Sequence, residues 1–183
     1  WRRADEKGGP ALVRFESAMT TGPQRIISRG VVRDGSLVIE TTTPGKTESQ
    51  SIPWKAEYGG LFVVEESLAA RPMQPAERRS VTGLVPIFNI VGTTQLVAAD
   101  YETVKLPAGE QRLLRIENTL DLGGQKLAST MWTNEKGEVL RSLVPAIGQE
   151  NVRTGHSFFC PHFSASSSLT RIIGDFKQTS YRP

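Results

Sequence analysis

The stretch His156-Ser-Phe-Phe-Cys160-Pro-His162-Phe, "HSFFCPHF", holds the only cysteine of this 183-residue chain and both of its histidines. A nucleophilic cysteine needs a base within hydrogen-bond reach, and that base needs a third group to orient it. Cys160 and His162 are two residues apart, so an extended backbone would point both side chains the same way. Pro161 lies between them, however, and Ser164-Ala-Ser-Ser-Ser168 follows, the composition of an irregular, exposed segment. With no histidine elsewhere to serve as the base, a catalytic Cys/His pair is not expected. Cys160, His156 and His162 also offer three metal ligands without a fourth, so neither a metal site nor a cofactor is expected.

Other side chains that could do chemistry lack partners in the sequence. Glu65 and Glu66 are adjacent, which places them about 100° apart on a helix and on opposite faces of a strand, so they read as surface charges rather than a paired acid and base. Ser129, Thr130 and Ser142 have no base nearby, and no glycine-rich phosphate loop is present. Trp54 and Trp132 each follow a strand-like run and read as core or sheet-face aromatics, the functional alternative being a platform for a sugar ring. Asn118 falls where an apolar face should continue, and it reads as a hydrogen-bonded core amide or as a polar group inside a ligand pocket. The residues therefore supply no catalytic group, and the candidates for binding are Asn118, Trp132 and Trp54.

The elements that must carry these residues read as mainly β: an antiparallel meander forming a curved sheet, sandwich or open barrel, with one short helix. Thr, Val, Ile and glycine-containing turns recur at short spacing. Ala11–Ala18 is one strand. Gln24–Val32 and Ser36–Thr43 flank Asp34-Gly35, a dipeptide suited to a tight hairpin, and Pro44-Gly45 ends the second of them. In Leu114–Leu122, Leu114, Ile116, Leu120 and Leu122 alternate with Arg115, Glu117, Thr119 and Asp121, which predicts one buried face and one wet face. Gly123-Gly124 turns the chain into Gln125–Thr133. Asn134-Glu-Lys-Gly137 turns it again into Glu138–Val144, with Gly137 left-handed. Leu61, Val64 and Leu68 lie three and four apart and predict a helix over 61–70, stopped by Arg71-Pro72. A further strand starts near Arg78.

Length and composition bound the rest. The chain suits one core of ordinary size, with 38% hydrophobic and 22% charged residues. The net charge is only +3, and basic residues cluster no further than Arg2-Arg3 and Arg78-Arg79, so nucleic acid is not an expected partner. No run approaches the roughly 18 apolar residues of a membrane helix. From Thr154 onward the composition changes. Residues 154–183 hold four charged side chains (Arg171, Asp175, Lys177, Arg182), four of the seven Phe, both His and the Cys. The expected organisation is an antiparallel β domain over 1–153 and a linker or foreign tail over 154–183.

Three blocks carry a resemblance: "RGVVRDGSLVIETTTPGKTESQSIPW" (Arg29 to Trp54), "GGLFVVEESLAARPMQPAERR" (Gly59 to Arg79) and "LLRIENTLDLGGQKLASTMWTNEKGEVLRSLVPAIGQE" (Leu113 to Glu150). They resemble a β-rich accessory region found beside transglutaminase-like cysteine-peptidase domains of exported bacterial proteins. The "MQP" segment and the "MWTNEKGEVLRS" hairpin are its distinctive parts. In proteins it resembles, the catalytic Cys, His and Asp lie in a later domain, and no position of this chain matches them. The resemblance implies a non-catalytic accessory domain in the periplasm or cell envelope, with a downstream catalytic domain as partner. It also implies further strand-forming sequence before Trp1, whose loss would leave a sheet edge open to self-association. Two alternatives arise from the residues: a binding module with an apolar sheet face or cavity for a lipid or polymer chain, and a structural domain of the envelope.

Overall fold

The computed structural model describes residues 12–21, 24–85, 88–154, 157–159 and 173–179. The fold is mainly β, with two antiparallel sheets, one short α-helix and one 3-10 turn at Pro145–Ile147. In chain order the elements are β1 (Arg14–Thr21), β2 (Gln24–Arg33), β3 (Ser36–Thr43), β4 (Lys46–Pro53), α1 (Val63–Ala70), β5 (Arg78–Val85), β6 (Ile90–Leu106), β7 (Gly109–Asp121), β8 (Lys126–Thr133), β9 (Val139–Val144), β10 (Gln149–Thr154), β11 (Ser157–Phe159) and β12 (Ile173–Thr179). No helix among the described residues is long and apolar enough to cross a membrane. The strands divide between a five-stranded sheet, β12-β1-β2-β3-β4, and a seven-stranded sheet, β11-β10-β9-β8-β7-β6-β5. Both orders are linear and neither sheet closes on itself.

The chain divides into two compact units, the first within Trp1–Leu61, Thr82–Val91 and Ala165–Pro183. Its hairpins follow from turn chemistry. Asp34 and Gly35 both take positive φ (47° and 72°), the turn whose twist matches that of flanking strands, and Arg33 pairs with Ser36 across it. Gly45 (φ 81°) turns the chain after Thr43, ending that strand as expected, and a strand not anticipated from sequence follows: β4 runs back along all of β3, from Thr43↔Lys46 to Ser36↔Pro53. Phe15 sits opposite Gly30, and its ring occupies the space a side chain would fill, since a Cβ on Gly30 would lie 2.0 Å from the ring. Around this contact Leu12, Phe15, Leu37, Ile39, Trp54 and Leu84 form the unit's core. β1 is paired on both sides, to β2 and β12, so the first strand is not the open edge that was expected. The sheet ends at β12 and at β4.

The second unit comprises Phe62–Val81 and Gly92–Ser164. Helix α1 begins two residues later than its periodicity predicts. Phe62 takes the cap position (φ −114°, ψ 27°) without a side-chain hydrogen bond, because phenylalanine has no oxygen to offer the orphan amides. The helix buries Leu68 and, with Val64 and Met73, packs on Leu96, Ala98, Leu114, Ile116, Met131 and Val139. A second cluster gathers Val104, Leu106, Leu113, Trp132 and Val152. Leu113 and its neighbour Leu114 are thus both buried, in different clusters, as residues on opposite faces of a strand must be. The expected alternation of one dry and one wet face holds at Leu114–Ile116, but β7 is dry on both faces at Leu113, and beyond Ile116 all residues to Asp121 are half-buried. Gly137 takes φ 74° as expected and lies against α1, where a Cβ would stand 2.0 Å from the Leu68 carbonyl oxygen.

Candidate functional site

The three expected binding candidates stand in different settings. Trp54 is 7% exposed and belongs to the core of the first unit, meeting Tyr58 edge to face at 5.6 Å between ring centroids. Its backbone N–H donates to the Gly35 carbonyl, so the residue closes the β3–β4 hairpin as well as filling the core. Lys55 lies over the Tyr58 ring at 5.8 Å.

Trp132, on β8, stands opposite Arg115 of β7 and Arg141 of β9. Its indole Nε1 donates to Glu102 Oε1 at 2.6 Å, which meets the one polar demand of a buried indole. The Arg141 guanidinium lies 4.8 Å from the ring centroid, and its Nε donates to Glu150 Oε1 at 2.7 Å. A chain of contacts therefore runs Glu102–Trp132–Arg141–Glu150, drawing on β6, β8, β9 and β10. Arg141 covers a ring face that a stacked sugar would need, and both carboxylates of the chain are engaged. Arg115 pairs with Glu117, which also accepts from the Thr130 hydroxyl.

Asn118, on β7, faces Leu96 of β6 and Ser129 of β8. Leu96 is fully buried, and the Asn118 Oδ1 is itself buried and finds no hydrogen-bond partner among the described residues. An acceptor in that condition costs free energy unless a donor reaches it, so it is the one of the three candidates with chemistry left to offer. The first unit holds a comparable group not anticipated from sequence. Asn89, at φ 50°, donates through Nδ2 to Thr41 Oγ1 at 3.0 Å, while its buried Oδ1 finds no partner among the described residues. Thr41 also meets the buried Ser28 hydroxyl at 3.2 Å, and the Asn89 carbonyl accepts from Gln50 Nε2 at 3.2 Å. Nothing local marked Asn89, because its partners are brought to it by sheet pairing.

A charged cluster at the C-terminal end of α1 was also not legible. Arg79 of β5, with its side chain 9% exposed, donates to the Ser67 carbonyl at 2.8 Å and to Glu77 at 2.9 Å. α1 has no basic residue in its last turn, and Arg79 supplies that charge from the sheet. Burial works to raise the Glu77 carboxyl, but hydrogen bonds from Arg79 and the Gln74 N–H, with the charges of Arg79 and Arg71, outweigh it and hold the group below its usual range. Asp121 is lowered by accepting the Gly124 and Gly123 amides that close the β7–β8 turn. Glu65 is raised, chiefly by protein packed around its carboxyl, less a contribution from its own backbone amide and with the Glu66 charge adding to it. The residue as a whole nonetheless remains exposed, as expected for a surface charge.

The remaining sequence candidates are structural or lie elsewhere. Ser142 accepts from Asn151 Nδ2 at 3.3 Å. Among the described residues no group of His, Cys, Asp and Glu is placed to hold a metal ion. His156, Cys160 and His162 fall outside the described residues.

No family model matches the chain, and no curated protein matches it. Among solved structures, a Bacteroides fragilis protein described as having a YmcC-like fold aligns with it at 11% identity over 79% of this chain and 92% of that one. The TM-score is 0.26, a superposition too loose to carry an argument about fold or function.

Proposed function

We propose that the chain is a non-catalytic accessory domain of a transglutaminase-like hydrolase, exported to the periplasm or cell envelope. The observation that supports this reading is the engagement of four of its acidic groups beside the candidate residues and turns. Glu102 is held by Trp132, Glu150 by Arg141, Glu77 by Arg71 and Arg79, and Asp121 by its own turn. A general base must be free to take a proton from substrate, and each of these carboxylates instead holds two pieces of structure together. The association with a hydrolase rests on the resemblance of the three sequence blocks.

The test is turnover by the purified chain. Incubated with a fluorescent primary amine and a glutamine-bearing acceptor protein, and separately with peptide and ester substrates, it should give no product above the buffer blank. Product that disappears in the Cys160→Ser variant would overturn the proposal.

A second reading, a binding module, is favoured by Asn118, whose buried carbonyl oxygen beside Leu96 could accept a hydrogen bond from a largely apolar ligand. Asn118→Leu distinguishes the two. It should stabilise an accessory domain by removing an unsatisfied acceptor, whereas a binding module would lose its ligand.

A further inference from the structure

The edge strand β4 has an outward-facing side whose symmetry is its notable property. Every residue of Lys46–Pro53 is exposed except Ile52, which is half-buried, and among the described residues no other strand pairs with the side away from β3. The hydrogen-bond phase of the β3–β4 pair follows from one bond: Trp54 N–H donates to the Gly35 carbonyl at 2.8 Å. In an antiparallel pair, hydrogen-bonded and non-hydrogen-bonded residue pairs alternate. The register Thr43↔Lys46, Thr41↔Glu48, Ile39↔Gln50 and Leu37↔Ile52 shares the phase of Gly35↔Trp54, so those β4 residues turn their amides and carbonyls inward to β3. Thr47, Ser49 and Ser51 therefore turn theirs outward.

These three residues form a set that maps onto itself. A twofold axis through Ser49 pairs Thr47 with Ser51 of a second chain, Ser49 with Ser49, and Ser51 with Thr47. The outward amides and carbonyls of these three residues then meet partners of the right phase, and every hydrogen-bonded cross-strand pair among them is a hydroxyl pair, a favourable combination on a sheet surface, while the alternate pairs set Glu48 against Gln50 and Lys46 against Ile52. The usual defences of an edge are charged side chains and an inserted proline. Here the charges fall on the other residues, Lys46 and Glu48, which pair with each other. Pro53 comes only at the end of the strand, where it sets the length of the ladder rather than blocking its centre. We infer that β4 is the docking edge for a second copy of this chain, through antiparallel pairing centred on Ser49 that joins two five-stranded sheets into one of ten strands.

The register makes this testable by cysteine placement in a Cys160→Ser background, which removes the single native thiol. In a hydrogen-bonded antiparallel pair, facing Cα atoms are about 5.5 Å apart, within the span of a disulfide. Ser49→Cys should cross-link to a species of twice the 20.1 kDa chain mass under a glutathione redox buffer. Thr47→Cys alone and Ser51→Cys alone should cross-link at least tenfold less, because each faces the other residue and lies more than roughly 13 Å from its own copy. A mixture of those two variants should give the mixed dimer. Sedimentation equilibrium of the unmodified chain should show average mass rising with concentration, whereas Ser49→Lys, which sets like charges on the axis, should stay at monomer mass with an unchanged melting temperature. Equal cross-linking by all three cysteine variants, cross-linking by none, or self-association of Ser49→Lys equal to that of the parent chain would overturn the inference.

Discussion

At the scale of single residues, position on a face decides what a side chain contributes. Ile116 is fully buried against Leu68 and Met131, whereas the side chain of its neighbour Glu117 is 46% exposed and pairs with Arg115. Ile116→Asp should cost several kcal/mol, because it places a charge in an apolar cluster with no partner, while Glu117→Gln should stay within about half a kcal/mol. Denaturant melts of the two variants check this, and equal effects would mean that the two faces of β7 are wrongly assigned. Glu77 adds a dependence on pH. Its carboxyl is depressed in the folded chain by Arg79 and Arg71, so its contribution is fully present above the unfolded value of 4.5 and is lost as pH falls through the lower folded value. Glu77→Gln should therefore destabilise the chain at pH 7 and progressively less as the pH is lowered below 4.5. A difference in melting midpoint that is constant from pH 7 to pH 3 would show that the Glu77 ion pairs contribute nothing.

Elements are where the sequence is most and least legible. The β2–β3, β7–β8 and β8–β9 hairpins were readable because each turn announces itself through Asp34-Gly35, Gly123-Gly124 or Gly137. β4 was not. Lys46–Pro53 is polar on both faces, as an exposed edge strand can be, so no alternation betrays it. β6 was hidden differently. A bulge between Ala98 and Tyr101 shifts the phase, so Leu96 and Ala98 enter one cluster while Val104 and Leu106, at the same parity, enter the other. Asn118 was visible as an interruption, but its bare carbonyl oxygen was not. The partner of Trp132 was equally unreadable, since Glu102 lies 30 residues away and arrives through the pairing of β6 with β7 and of β7 with β8. The β8–β9 turn meets α1 at a close joint between elements. Gly137→Ala combines a left-handed φ with a clash against the Leu68 backbone, which no side-chain rotation relieves. It should destabilise by more than the roughly 1 kcal/mol that a left-handed position alone costs. By contrast Gly35→Asn, at a left-handed position in open space, should be nearly neutral by thermal melt.

For the whole molecule, two antiparallel sheets account for most of the described residues, and Glu102, Glu150, Glu77 and Asp121 are each engaged in holding strands or turns together. The "HSFFCPHF" stretch decides the matter, because it contains the chain's only thiol and only imidazoles. A catalytic cysteine paired with an imidazole has its pKa pulled far below the free-thiol value of about 8.5, and it alkylates quickly in mild acid. The most direct measurement is the pH-rate profile of iodoacetamide labelling at Cys160 in the native chain. A free thiol should give a rate that rises through an apparent pKa near 8.5 and falls about tenfold for each pH unit below it. Full thiolate reactivity persisting at pH 6 would contradict the non-catalytic account and restore Cys160 as a nucleophile.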